Sequence, residues 1–501
     1  MTRIRIVSLL VASTFLLTLL ALTSCVKKDS SDDNIAQTEL TKIDESSAAE
    51  SESSDNDLLD MIEKKDYGGY DFNVLATAPD PNINNPTRFV DEIAVEREKG
   101  EVINDAVWYR NLFINNKLNV NIHAIPTSDY ASTVRKSVHA NDRAYDLISL
   151  YKHFTFSLAA EGLFRNWSEL DIDYHRGEWW NQSALENLNI CGIQLFMSGS
   201  MLMSEIDDTL AMLFNKVLAE DYNVGDIYET VKTGDWTIER FGQMVALVSA
   251  DLDGDSKMKP GNDLYGYIQD PISMTNNWAF SCDLLHDKIE DDGTLSLNVD
   301  SDRINRTLEA LSPIMKSENV NTNLDLYEGL NYFKENTIFI YAIILRNVEL
   351  MRDMDVDFGI IPYPKLDDHQ ENYYTHVGIG SPILTIPKTN VADDKMLADI
   401  LEAMAISSHY YYIPAYYDIA LQTKIARDEQ SEEMLDIIIA SRIYNWTYYA
   451  GTSEGTSSIV TIIAPLIKKG SANFSSNWAR SEARTIKVLQ EFLDNIIENN
   501  S

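Results

Sequence analysis

The chain is poor in positive charge, cysteine and histidine, and has no long apolar run beyond its first two dozen residues. Against 41 Lys and Arg stand 78 Asp and Glu, a formal net charge of −37. Such a field repels phosphate backbones and flat anionic lipid surfaces, so nucleic acid is excluded as a partner. The eight histidines are scattered and never form His-Glu-x-x-His, which excludes that zinc-protease class. Neither a Walker A motif nor G-x-G-x-x-G occurs, so no nucleotide site is indicated. Gly451-Thr-Ser453-Glu-Gly455 matches G-x-S-x-G, but a hydrolase of that type needs a histidine after the serine, and the last histidine is His409. The run from Gly451 to Ser458 reads instead as a flexible polar loop. Three cysteines are too few for a disulfide framework; Cys191 and Cys282 could pair in an oxidising compartment or stay as buried thiols.

What is present begins at the first residues. Arg3 and Arg5 precede an apolar stretch, Ile6 to Leu22, diluted only by Ser8, Ser13, Thr14 and Thr18. That is the shape of a signal-peptide core rather than a membrane span. It ends in Leu22-Thr-Ser-Cys25, which resembles a bacterial lipobox. The expectation is a signal peptide over 1–24, cleavage before Cys25, and lipid on that cysteine holding the chain to the outer face of the cell membrane. Each buried acyl CH₂ contributes about 0.8 kcal/mol to such an anchor. Residues 25–66 then read as the lipidated cysteine and a disordered acidic, Ser-rich tether, as in Glu45-Ser-Ser-Ala-Ala-Glu-Ser-Glu-Ser-Ser-Asp55.

The remainder is long enough for two domain-sized units, and 45% hydrophobic residues suit a globular body. Tyr70, Phe72 and Val74 alternate as a strand. Val102 to Lys117 carries a helical apolar stripe, with Trp108 inside it read as core. Strand Val120–Ile125, helix Ser132–Ala140 and strand Tyr145–Leu150 follow, then strands over Ile338–Leu345 and Phe358–Ile361. Ile486, Leu489, Leu493, Ile496 and Ile497 mark a C-terminal amphipathic helix. Strand–helix alternation of this kind predicts an α/β fold with a mostly parallel sheet.

Tyr67-Gly-Gly-Tyr-Asp-Phe72, Glu101-Val-Ile-Asn-Asp-Ala-Val-Trp-Tyr-Arg-Asn111, Leu118-Asn-Val-Asn-Ile122 and Tyr145-Asp-Leu-Ile148 occur in that order. Trp179-Trp180, Gln194-Leu-Phe-Met197 and Arg427-Asp-Glu-Gln-Ser-Glu-Glu-Met-Leu-Asp436 follow. Together they resemble the extracellular solute-binding proteins of ABC importers, in particular the sugar-type family 1 lipoproteins. The resemblance implies a two-lobed, type II periplasmic-binding-protein-like fold with a ligand cleft between the lobes. Placed on this chain, one lobe takes 67–171 and 306–370, and the other takes 172–305 and 371–501. It further implies a non-enzymatic monomer that captures a mono- or oligosaccharide and delivers it to an ABC permease. A lipid-anchored glycoside hydrolase and a binder of peptides or another polar solute remain the alternatives.

Ligands of open α/β sheets sit beyond the carboxyl ends of the strands. That rule selects Asp80 after the first strand, Tyr151 and His153 after the third, and Arg346 after Ile338–Leu345. Trp278, in the polar break Thr275-Asn-Asn-Trp278, stands where the resembling sugar binders place a stacking ring, and Trp446 lies in the second lobe's late region. Aromatic faces and hydroxyl-binding groups of this kind suit sugars. Asp251-Leu-Asp253-Gly-Asp255-Ser-Lys257 resembles the first half of an EF-hand loop, with Asp263 able to close it. Alternating carboxylates can converge the six to eight oxygens that Ca²⁺ takes, with Lys257 giving its carbonyl. The glycine at position 4 and the missing Glu at position 12 depart from that loop, so an acidic solvated turn is the competing reading.

Overall fold

The computed structural model describes residues 58–500, apart from 84, 271–272, 286, 352–353, 391, 423–428 and 454–457. Cys25, the signal peptide and most of the tether lie outside the described residues, as do parts of the Arg427–Asp436 and Gly451–Gly455 motifs.

Two five-stranded mixed sheets organise the chain. Their strands, in chain order, begin with β1 (Tyr70–Thr77), β2 (Val120–Thr127), β3 (Leu147–Tyr151) and β4 (Phe164–Arg165). A small hairpin, β5 (Asn189–Ile190) with β6 (Ile193–Gln194), comes next. Then follow β7 (Leu210–Asn215), β8 (Tyr265–Ile268), the hairpin β9 (Asp287–Ile289) with β10 (Leu295–Leu297), β11 (Val320–Asn321), β12 (Ile338–Ile344) and β13 (Phe358–Ile361). β14 (Thr375–His376), β15 (Pro382–Pro387) and β16 (Arg442–Ile443) complete the series. The first sheet has the order β2-β1-β3-β15-β4, the second β11-β8-β12-β7-β13. β1 runs parallel to β2 and β3, while β15 runs antiparallel to β3 and β4.

Sequence accounts for the central strands directly. β7 reads Leu-Ala-Met-Leu-Phe-Asn and β12 reads Ile-Phe-Ile-Tyr-Ala-Ile-Ile, and both are buried almost throughout. Strands covered on both faces read as continuous apolar runs rather than as alternation. Helices α1 (Arg88–Asp91), α2 (Val102–Leu118), α3 (Tyr130–Ala140) and α4 (Lys152–Ala159) belong to the connections of the first sheet. α2 stops at Asn119, whose φ of +52° gives a left-handed cap, its N–H donating to Asn115 O at 2.7 Å. Trp108 on α2 is half-buried rather than core. The buried face of α2 carries Val107, Arg110 and Ile114 instead.

The lobe assignment made from sequence is corrected by strand pairing. β11, β12 and β13 all lie within 306–370, yet they pair with β7 and β8 in the second sheet. β15, at 382–387, returns to the first sheet, where the sequence division had placed 371–501 in the other lobe. Strand identity is a local property and was readable; strand partnership is not. The tether boundary also moves. Leu58–Asp60 is helical, Ile62 is buried in the first sheet's core, and Lys65 pairs with Asp399 at 2.6 Å, so the ordered body begins before Tyr67.

Crossing segments join the sheets. Met197 bridges to Leu384 and Thr209 to Val377, so the outgoing chain (197–209) and the returning chain (377–384) lie side by side. The outgoing one contains the short helix α5 (Met203–Asp207). A third link comes from β16, which pairs in parallel with β14. Helices α6 (Ser273–Ser281), α7 (Asp394–Gln422), α8 (Trp446–Ser453), α9 (Ile459–Lys468) and α10 (Phe474–Asn500) pack around this frame. The expected polar loop at Gly451 is thus helical through Ser453, and the C-terminal helix begins twelve residues before the apolar spacing showed it.

Candidate ligand-binding cleft

The carboxyl ends of β1, β3 and β12 and the crossing segments converge on one region. Three of the residues selected by strand position meet there. Burial, then Tyr130 and then the charge of Asp80, push the Tyr151 phenol up to about 12, while Arg346 and Arg88 act in the opposite sense. Burial lowers the Arg346 guanidinium to about 10, with Asp207, Tyr151 and Asp80 favouring its charge. Asp80, Tyr151 and Arg346 therefore share one electrostatic neighbourhood although they come from three different strand ends.

Tyr151 also stands in an aromatic cluster. Its ring meets Phe89 edge-on at 5.2 Å and Tyr130 at 5.4 Å, and it stacks with His153 at 6.3 Å. His153 in turn lies 3.8 Å from Phe154. Burial lowers its imidazole below the usual histidine range. The end of β3 thus offers ring faces and edges held by one another, with the neutral imidazole favoured.

Residues that strand position did not select complete the site. Asp208, on the outgoing crossing segment, is 2% exposed and pairs through Oδ1 with Arg346 Nη1. Its Oδ2 has no hydrogen-bond partner among the described residues. The returning segment fits against it only because position 378 is glycine: a Cβ there would collide with Asp208 Oδ2. Beside this pair, Arg88 Nη2 lies 2.9 Å from Asp207 Oδ2 and donates to Ser204 O at 3.2 Å. Glu92 accepts from Ser204 N at 3.0 Å and from Ser204 Oγ at 2.9 Å. Enclosure pushes the Glu92 carboxyl up to about 8, with the two Ser204 hydrogen bonds and Arg88 opposing the shift. Arg88, Glu92, Asp207, Arg346, Tyr412 and Tyr416 line a cavity of about 660 Å³. The cluster Glu205-Ile-Asp-Asp208 just before the largely apolar β7 was the available signal, since acids are almost never fully buried unless paired.

A second buried pair braces the crossing. Lys152 Nζ lies 2.7 Å from Glu205 Oε1, with side chains 0% and 1% exposed. Lys152 also donates to Ser381 Oγ at 2.5 Å and to Pro382 O at 3.1 Å on the returning segment. Glu205 Oε2 accepts from Ser198 Oγ and, at 2.9 Å, from Tyr444 OH. Burial lowers the Lys152 ammonium below its ordinary value, and Glu205 opposes that shift.

Two expected contacts are corrected. Trp278 is fully buried in the second lobe, its Nε1 donating to Gln269 Oε1 at 3.1 Å, among Phe241, Tyr267 and Tyr363. The polar residues before it mark buried hydrogen bonds, not a rim: Asn277 Oδ1 accepts from His376 N at 3.0 Å. Trp446 is 4% exposed and lines a different cavity.

The aspartate loop folds partly as expected. Asp251, Asp253 and Asp263 bring carboxylate oxygens within 4.8 Å of one another. Backbone N–H groups hold them: Gly254 and Ser256 donate to Asp251, and Leu252 and Lys259 donate to the buried Asp263. Asp255 departs from the expectation, turning to Lys259 in an ion pair, while Lys257 spends its N–H on Asp255 at 2.9 Å. The donor set is oxygen only, which fits a hard cation such as Ca²⁺. Cys191 is exposed and Cys282 buried, and both are free thiols, so the pairing alternative is not taken.

No protein-family model matches the chain, and no curated protein matches it. Solved structures do. An uncharacterised protein from Listeria monocytogenes EGD-e is 11% identical with a TM-score of 0.54, covering 85% of this chain and 100% of that one. UspC of M. tuberculosis is 14% identical with a TM-score of 0.51, over 83% and 100%. The cyclic α-maltosyl-1,6-maltose binding protein of Arthrobacter globiformis is 12% identical with a TM-score of 0.50, over 84% and 100%. Identities this low speak to architecture, and the architecture they share with this chain is the two-lobed, type II solute-binding-protein fold.

Proposed function

We propose that this protein is the capture subunit of an ABC importer and that it takes a neutral mono- or oligosaccharide into the cleft. The observation that carries this reading is the convergence of Asp80, Tyr151, Arg346 and the buried Asp208 at the strand ends between two sheets. A half-buried arginine held by an acid, an acid oxygen still lacking a donor and a braced aromatic cluster are the groups that meet hydroxyls and C–H faces. Among the described residues lining the cavity, four carboxylates (Asp91, Glu101, Asp207, Glu349) and the proton-retaining Glu92 face three cations (Arg88, Lys99, Arg346), which disfavours an anionic solute. The paired crossing segments support closure of the lobes around the ligand by hinge motion. In this reading the protein performs no chemistry, and the closed form is what the permease recognises. Lipid on Cys25 would keep the captor beside its transporter at the outer face of the membrane.

The test is calorimetric titration of the purified protein with neutral sugars, acidic sugars and peptides. Saturable binding of a neutral sugar, weakened about ten- to a hundredfold in Arg346→Ala and without turnover over hours, is expected. Hydrolysis of the sugar, or binding confined to peptides, would replace this reading.

We also propose a structural Ca²⁺ in the loop of Asp251, Asp253 and Asp263, where the ion would neutralise three adjacent carboxylates. Chelation should then lower the melting temperature, and Asp253→Asn should abolish the response. An equal melting temperature with and without chelator removes the ion from the account.

A further inference from the structure

Beyond the carboxyl ends of β2 and β3 the chain passes into α3 and α4, and the first turns of both helices are aromatic. Tyr130 opens α3, while His153 and Phe154 follow Tyr151 into α4. Tyr130 and Phe154 lie 4.8 Å apart with their planes inclined by 32°, and Phe154 leans on His153 at 3.8 Å. Tyr151 joins them through Tyr130 and His153. All four rings are half-buried, whereas Phe156, one position after Thr155 on α4, is fully buried. Tyr130 packs its apolar body against the hydrophobic core. The four rings therefore form a wall that rests on the core and keeps part of its surface in solvent.

The exposed part of the wall has hydrogen-bonding capacity to spare. Neither the Tyr130 nor the Tyr151 hydroxyl has a hydrogen-bond partner among the described residues. Asp80 stands beside both phenols. Its Oδ1 accepts from Asn82 N and Asn82 Nδ2, each at 2.9 Å, which leaves Oδ2 for a donor from outside. Sugar C–H faces suit the rings, and sugar hydroxyls suit the phenols and the carboxylate.

This wall adjoins the 660 Å³ cavity without belonging to its lining. Arg88 and Arg346 line the cavity and also act on Tyr151, so they mark the border. The loop after β1 spans the same border: Asp80 stands at the wall, Asn85 and Thr87 at the cavity, and Asp80 N donates to Pro86 O at 2.9 Å. Two surfaces of different chemistry thus meet across a pair of arginines. One is charged and hydroxyl-rich, with Asp207, Tyr412 and Tyr416; the other is aromatic, with a single acid at its edge. A lone sugar ring covers one surface or the other. Two linked rings cover both.

We propose that the cleft takes an oligosaccharide of at least two rings, one in the cavity and the next on the Tyr130–Phe154 wall with its hydroxyls on Asp80 and the two phenols. This rests on the capture reading and names its substrate class. Tyr130 is then a specificity-determining residue, because it touches the part of the ligand that a monosaccharide lacks.

Calorimetric titration of the purified protein tests this, with glucose, galactose, mannose and xylose set against maltose, cellobiose, lactose, mannobiose and xylobiose. At least one disaccharide should bind about tenfold or more tightly than its component sugars. Tyr130→Leu, which removes ring and hydroxyl but keeps apolar bulk, should shrink that ratio about tenfold. Tyr130→Phe, which keeps the ring, should retain most of it. A role confined to packing would weaken both sugars together and leave the ratio standing. Phe154→Leu serves in the same way if Tyr130→Leu melts too low to titrate. The inference is overturned if the monosaccharides bind as tightly as the disaccharides built from them, or if the ratio is unchanged in the leucine variant; sugar capture itself stands in both cases. Binding of no sugar of either size would overturn the capture reading and this inference with it.

Discussion

Two carboxylates three residues apart on the outgoing crossing segment, Glu205 and Asp208, are almost equally buried and behave differently. Glu205 is 1% exposed and its oxygens meet Lys152, Ser198 and Tyr444; its cation is 0% exposed. Asp208 is 2% exposed and one oxygen meets Arg346, which is 22% exposed, while the other has no partner among the described residues. Burial of the acid is thus the same and burial of the partner is not. The closed, fully answered pair holds the crossing segments together. The open, half-answered one is where we propose a ligand completes the set. A buried ion pair gains little over an apolar substitute, but breaking it strands a charge.

The sharpest way to break the contrast is Lys152→Ala. It leaves Glu205 buried without its cation and should cost about 3–5 kcal/mol of unfolding free energy, read by urea denaturation. A loss below about 1 kcal/mol would mean water reaches the pair and the distinction fails. Arg346→Ala comes next: its effect should fall on affinity, about ten- to a hundredfold, from a lost charged hydrogen bond, with a much smaller change in stability. Equal stability losses in the two variants would erase the division of labour.

The last effect concerns pH and Glu92. Its folded-state carboxyl is raised to about 8 by burial, above an ordinary value near 4.5. A raised acid gives stability that is fully present below about 4.5 and is lost as pH rises toward 8, because the unfolded chain releases its proton first. Arg88, Asp207, Arg110, Tyr412 and Lys152 are charged and titratable groups around it. Wild type should therefore lose stability relative to Glu92→Gln between pH 5 and pH 8, measured as melting temperature. Parallel curves would show that Glu92 is ionised in the fold.

Much of this was legible, in an uneven way. β1, α2, β2, α3, β3, β12 and β13 announce themselves by apolar period, because each buries a face set by its own local repeat. Asp80, Tyr151 and Arg346 were reachable because strand ends are where open α/β sheets bind. Arg88, Ser204 and Asp207 were not, since none ends a strand and their alignment depends on how a crossing segment passes a loop far away in sequence. Trp278 misled for a related reason. Polar neighbours in sequence signal exposure only when they are not consumed by buried partners, and Asn277 and Gln269 are consumed.

β15 has one more consequence. It inserts between β3 and β4, with Pro382 opposite Tyr151, so the first sheet cannot close until a strand made late in synthesis arrives. A ribosome that has finished β4 has produced two sheet fragments with unsatisfied edges and no way to join them. Pairing of such sequence separation slows folding. That delay leaves the β3 edge open until most of the chain has been made.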